Sequence, residues 1–324
     1  MPKAIVITGP TGTGKSELAV DVAERLAGEI VSADSRQVYR GMDIGTAKPS
    51  LRLRGRVPHH GLDLVAVNES YSAGRFARDA QGWIRDIRAR GRVPIVAGGS
   101  GFFVRALLQP LAPDPEVDLE RRARLRDYLS LRSPEELKRW LRRLDPARAE
   151  QLEGEGGPQR LARSLEVALL SGRRHSWWME RPSKLPPLSA LVFCLELPRE
   201  EIYRLTDERF DRLMEGGFLE EVRGLLRRFP KRDPGFKAVG YGELISHLEG
   251  ERGLTDAVAE AKRSTRQFVR RQLTWLRNQL PVDAIRLSAN EPRERLVAEI
   301  ARRWESGARR SSGSQPESPV ASCG

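Results

Sequence analysis

The run Gly9-Pro10-Thr11-Gly12-Thr13-Gly14-Lys15-Ser16 constrains this chain more than any other segment. It satisfies G-x-x-x-x-G-K-[ST] at every position. It directly follows the apolar run AIVIT at 4–8 and opens an amphipathic stretch from Lys15 to about Ala27. Glycines let backbone N–H groups turn inward around a phosphate chain. The helix N-terminus adds partial positive charge. Lys15 can neutralise terminal phosphate oxygens, and the Ser16 hydroxyl suits Mg²⁺. A glycine turn without a ligand would not need strand, lysine and serine in this register. The loop by itself specifies a di- or triphosphate, not ATP.

The rest of the chain sets that loop in a sheet. EIVSA at 29–33 and VPIVA at 93–97 read as further strands, with a helical stretch at 73–90 between them. Strands alternating with helices predict an α/β fold, a P-loop-type parallel sheet flanked by helices. From Pro113 to Pro187 the signals are helical only. Ser133-Pro134-Glu135-Glu136 is a cap with Pro at the first helical position, Asp145-Pro146 starts another helix, and Pro158 starts one that stops at Gly172. This predicts an inserted all-helical subdomain at 113–187 within a core of 1–112 and 188–305. ALVFCLE at 190–196 returns to the sheet, helices follow at 199–228 and 255–280, and AIRL at 284–287 reads as a last strand. Residues 306–324 are rich in Ser, Gly and Pro and are predicted to be disordered.

No run approaches the ~18 apolar residues of a membrane span, and the N-terminal apolar run is too short for a signal peptide. The expectation is a cytoplasmic protein, by default a monomer. Cys194 and Cys323 cannot form a disulfide framework, and neither they nor His59, His60, His175 and His247 have metal-ligand spacing.

The formal net charge of +12 favours polyanionic partners, nucleic acid first. Of 56 basic residues, 48 are Arg, the better residue for bidentate phosphate contact. Residues 261–277 carry six basic residues and no acid. Arg263, Arg266, Arg270 and Arg277 fall on one helical face, beside an apolar stripe of Val269, Leu273, Leu276 and Leu280. A solvated basic face is the plain alternative; the absence of acids favours RNA.

Asp34 follows the second strand, where open parallel sheets place their active sites. A carboxylate there serves as a base toward an incoming nucleophile or as a helix cap. Gln37 carries a donor and an acceptor suited to a base edge. The strand at 93–97 ends in Gly98-Gly99-Ser100 with no acid, which argues against ATP hydrolysis. On these features alone a nucleotide or nucleoside kinase with Asp34 as base stays open, as does an RNA-binding NTPase switch.

Beyond the loop, the run from Asp34 to Pro49, DSRQVYRGMDIGTAKP, resembles the signature of bacterial tRNA dimethylallyltransferases (isopentenyltransferases). So, in the same order, do Val57-Pro-His-His60, Gly98-Gly-Ser-Gly-Phe-Phe103, Gly157-Pro-Gln-Arg-Leu-Ala-Arg163, Phe236-Lys-Ala-Val-Gly-Tyr241 and Arg270-Arg-Gln-Leu-Thr-Trp275. The resemblance implies transfer of a dimethylallyl group from dimethylallyl diphosphate to N6 of the adenosine 3′ of the anticodon. The partner it implies is the tRNA anticodon stem-loop. Gly9 to Ser16 would hold the prenyl diphosphate and Mg²⁺, with Ser16 as metal ligand. Asp34 would be the general base, with Lys15 and Arg209 at the diphosphate. Contacts to tRNA would come from Asp34, Ser35, Arg36, Gln37, Ser100, Arg122, Gln159, Arg160, Arg163, Lys237, Gly240, Tyr241, Arg266 and Arg270. Ser100 stands where the family usually has Thr, and Phe103 where it has Tyr. Phe102, Phe103 and Val104 are either a pocket for the prenyl tail or plain core. Trp177-Trp178 could stack on a base or pack a subdomain edge.

Overall fold

The computed structural model describes residues 2–154 and 157–312. The glycine-rich loop leaves β1 (Ala4–Thr8) and enters α1 (Lys15–Arg25). Then come β2 (Gly28–Ser32), a short α2 (Leu51–Arg54), β3 (His59–His60), α3 (Ala73–Ala89), β4 (Val93–Ala97) and α4 (Gly101–Leu108). Five helices follow without a strand: α5 (Leu119–Ser130), α6 (Pro134–Leu144), α7 (Pro146–Gln151), α8 (Pro158–Ser171) and α9 (His175–Met179). The chain returns through β5 (Ala190–Glu196), α10 (Arg199–Glu215), α11 (Phe218–Leu226), α12 (Tyr241–Leu248), α13 (Leu254–Gln279), β6 (Ile285–Ser288) and α14 (Arg293–Ser312).

All six strands are parallel, in the order β3-β2-β4-β1-β5-β6. β1 is central and buried along its whole length, which is why four consecutive apolar residues lead to Thr8 rather than an alternation. The connection from β1 steps over β4 to reach β2, and the connection from β4 steps over β1 to reach β5. The strand order therefore switches at β1, and the crevice at such a point lies beyond the strands' carboxyl ends. On one face α1 buries Leu18, Ala19, Val22 and Ala23 against Ile5, Ile7, Ile30 and Ile95. Leu296 and Ile300 of α14 complete that cluster. α3 turns Phe76, Ala80, Ile84 and Ile87 inward.

The chain divides into two compact units. One runs to Gln109 and resumes at Pro187; the other is Pro110–Pro186. The second has its own core of Leu129, Leu137, Leu141, Ala149, Leu152, Leu161 and Leu165. The capping box at Ser133 and Glu136 is formed, and Asp145, fully buried, accepts from both the amide and the hydroxyl of Ser176.

Two expectations are corrected, and one strand was not foreseen. The helix expected over 199–228 breaks at Gly216-Gly217, where Gly217 adopts φ +94° and the chain turns into α11. The two-residue β3 is too short to leave a periodic signal. α14 continues through 306–312, which the sequence assigns to a disordered tail; 313–324 lie outside the described residues. Among the described residues no helix is long and apolar enough to cross a membrane.

Candidate active site

The phosphate loop is shaped by its own residues. Gly14 caps α1 with φ +73°, left-handed backbone that a side chain would strain, and no side chain caps the helix there. The first amides of α1 are thereby left for an anion. Thr13, buried, donates its hydroxyl to Pro10 O at 2.9 Å, and Lys15 Nζ donates to the same carbonyl at 2.5 Å. Arg209 of α10 donates from Nη1 to Thr11 Oγ1 at 3.2 Å. Burial, helped by the neighbouring Arg209 charge and opposed by Asp34, pulls Lys15 down to about 8. Burial also lowers Arg209, with Asp34 opposing.

The turn after β2 packs against the turn after β4. Asp34 Oδ1 accepts from Arg36 N at 2.8 Å, closing an Asx turn, and it caps no helix. Among the described residues its carboxylate has no ion-pair partner. The hydroxyl of Ser100 accepts from Ser35 N at 2.9 Å and donates to Ser35 Oγ at 3.2 Å. The residue expected to touch RNA is thus also the brace of the Asp34 turn. A Cβ on Gly101 would sit 2.3 Å from the indole of Trp275, so α4 and α13 meet there only through glycine.

Gln272 of α13 is the feature that sequence reasoning missed. It is buried; its Oε1 accepts from Thr11 N at 3.0 Å, and its Nε2 donates to Gly99 O at 2.9 Å. One amide therefore ties the phosphate loop to the β4 turn. Its sequence signal was its place in the block from Arg270 to Trp275, a polar residue beside the apolar stripe of a basic helix.

These parts line one open cleft. Thr11, Lys15, Ser16, Asp34 and Arg209 bring the charge and hydroxyls, and Pro49, Ala97 and Phe268 bring apolar surface. His59 also lines it, and burial lowers its imidazole, favouring the neutral ring. The expected phosphate, base and β4-turn residues are thus in one place.

Of the other expected residues Gln37 also lines the cleft, and the rest are elsewhere. Tyr241 is fully buried, packed against Phe218 and Phe236, and donates its hydroxyl to Glu221 Oε1 at 2.6 Å. Glu221 in turn accepts the amides of Asp43, Ile44 and Gly45. Tyr241 and the buried Gly240 therefore brace the 43–45 loop from behind and have no face for RNA; Lys237 is exposed. Gln37 is buried with both ends of its amide engaged, accepting from Ser32 Oγ and donating to Thr46 O and Ala47 O, which leaves it no free edge for a base. Phe103 is core, stacked on Phe76 at 4.3 Å; Val104 is buried, Phe102 is exposed, and none of the three lines the cleft. On α13, Arg270 is exposed, whereas Arg266 pairs with Asp207 at 2.6 Å. In the second unit Gln159 and Arg160 are exposed, while Arg122 and Arg163 are engaged with acids. Trp177 and Trp178 pack edge to face, and Arg181 covers Trp177.

A glycine-rich loop at a sheet's switch point, faced by a carboxylate and a half-buried arginine, defines a P-loop-type α/β protein. The family is set by comparison. The IPP transferase family model matches residues 37–279, and an isopentenyl transferase model matches 2–54. The chain belongs to the IPP transferase family. It is 40% identical over 300 residues to the tRNA dimethylallyltransferase of Pelotomaculum thermopropionicum, covering 92% of this chain and 95% of the relative. It is 43% identical over 277 residues to that of Geobacter metallireducens, covering 85% and 89%. The crystal structure of the tRNA isopentenylpyrophosphate transferase of Bacillus halodurans aligns with TM-score 0.70 and 30% identity over 97% of this chain and 99% of that one. A eukaryotic dimethylallyltransferase, described as acting on tRNA, aligns with TM-score 0.76 and 27% identity over 94% and 79%. This membership displaces the kinase and NTPase-switch alternatives.

Proposed function

We propose that this chain transfers the dimethylallyl group of dimethylallyl diphosphate to N6 of adenosine 37 of tRNA, 3′ of the anticodon. The products are N6-isopentenyladenosine and diphosphate. The observation that carries this reading is one cleft holding a glycine-rich loop with Lys15 and Arg209, a carboxylate with no ion pair among the described residues, and apolar surface.

The chemistry asks for those parts. An exocyclic amine is a poor nucleophile because its lone pair is delocalised into the ring. The C–O bond of the allylic diphosphate breaks readily only when negative charge on the leaving group is stabilised. Lys15, the loop amides and Arg209 supply that stabilisation, in a cleft where each charge acts more strongly than in water. As the new C–N bond forms, the N6 proton passes to the Asp34 carboxylate. Pro49, Ala97 and Phe268 offer the five-carbon tail an apolar wall, which keeps water from an allylic cation. The acceptor base must leave its stack to enter the cleft. The exposed Arg270 of α13, with Lys237, Gln159 and Arg160, supplies backbone contacts.

The residues fit Mg²⁺ of one kind. Among the described residues no group of three His, Cys, Asp or Glu could cage a metal. Ser16, a single hydroxyl on the cleft wall, suits an ion that keeps its waters and takes its other ligands from a diphosphate. Such an ion would add to the neutralisation of the leaving group.

The test is one preparation with unmodified tRNA and Mg²⁺, divided between labelled dimethylallyl diphosphate and γ-labelled ATP. Label entering tRNA from the prenyl donor alone is expected. Turnover of ATP alone would overturn the reading.

A further inference from the structure

Two acids of very different burial share the arginines of the second unit. Glu166 of α8 is 1% exposed. Its Oε2 accepts from Arg126 Nε at 2.5 Å, its Oε1 accepts from Arg163 Nη1, and Arg122 Nε lies 3.1 Å from Oε1. Asp114 lies in the extended segment before α5, its side chain 48% exposed. Its Oδ2 accepts from Arg122 Nη2 at 3.3 Å and its Oδ1 from Arg163 Nη2. Arg122 and Arg163 therefore each face both acids. Three guanidinium groups against two carboxylates leave one net positive charge.

The two acids cannot play the same part. Glu166 holds the guanidinium groups from inside, and its removal would leave three cations crowded around a dry space. Asp114 holds them from the solvent side, on backbone outside any helix. A carboxylate and a phosphodiester offer an arginine fork the same pair of oxygens. We propose that Asp114 is a resident stand-in for an RNA phosphodiester, displaced when that phosphate binds Arg122 and Arg163, and that Glu166 is the positioning residue that keeps both arginines aimed at it. The inference rests on the tRNA reading above and assigns roles to the two acids, which that reading leaves without one.

The two acids predict opposite signs. Binding of an anticodon stem-loop RNA to the full chain is measured over a range of salt concentrations, without prenyl donor. Asp114→Asn gives up two ion pairs yet is expected to bind about threefold to tenfold tighter, with a steeper salt dependence, because two guanidinium groups lose their internal competitor. A carboxylate that merely supported the fold would give weaker or equal binding. Glu166→Gln is expected to weaken RNA binding about tenfold, with KM for RNA rising more than kcat falls. Should that variant fail to fold, Asp114→Asn decides alone. Unchanged or weaker binding by Asp114→Asn, with wild type bound normally, overturns this proposal and spares the tRNA reading. A wild-type chain with no affinity for the stem-loop overturns both.

Discussion

At the residue scale the site turns on how few charges face the substrate. Lys15, lowered to about 8 by burial and by Arg209, loses its proton within the working range of an enzyme. The sign follows directly: below that value the ammonium is present to meet the diphosphate, and above it the amine is neutral. kcat/KM for the prenyl donor is therefore expected to fall as pH rises through about 8, since that ratio reports the free enzyme. A pH profile checks it, and Lys15→Arg should remove the falling limb at lower overall rate. The loop motif, Lys15 and Asp34 were legible in the sequence because each depends on immediate neighbours: a strand, a turn, a helix start. Tyr241 was misread as an RNA contact for the opposite reason. An aromatic in a motif reads the same whether it faces solvent or, as here, Phe218 and a buried Glu221 hydrogen bond.

At the element scale α13 ties the phosphate loop to the turn after β4, while its Lys262, Arg263 and Arg266 pair with Asp211, Glu260 and Asp207. The basic face was visible as spacing, but its connection to the loop was not. Gln272 meets Thr11 and Gly99 across 261 and 173 residues, and no local pattern encodes such a pairing. Gln272→Ala is expected to leave both backbone groups unpaired, to lower stability by about 1–3 kcal/mol and to raise KM for the prenyl donor several-fold. Thermal melts and donor titrations check the two effects. The break between α10 and α11 had a local signal in Gly216-Gly217, yet helical periodicity on both sides outweighed it. That break lets Glu221 reach the 43–45 amides and hold the signature loop beside the cleft.

At the scale of the whole molecule, alternation of strand and helix gave the parallel sheet and its strand-free excursion. It could not give the order of strands, because the steps from β1 to β2 and from β4 to β5 each cross a neighbour that the sequence does not name. Nor did it give α14, whose apolar residues lie among charges near a tail of low complexity. Leu296 and Ile300 nevertheless belong to the cluster under α1, the helix that carries Lys15 and Ser16. Ile300→Ala is expected to destabilise the chain by about 2–5 kcal/mol, measured by denaturant unfolding, a cost typical of a buried cavity.

The central claim is that Asp34 takes the proton of the acceptor amine in the cleft that holds the prenyl diphosphate. Asp34→Asn is the sharpest probe, since its side-chain oxygen can still accept from Arg36 N and keep the turn. Single-turnover transfer to bound, unmodified tRNA is the measurement. The account predicts a rate lower by about 10²–10⁴-fold with RNA affinity held within about twofold. Transfer at the wild-type rate would contradict it and place the base elsewhere.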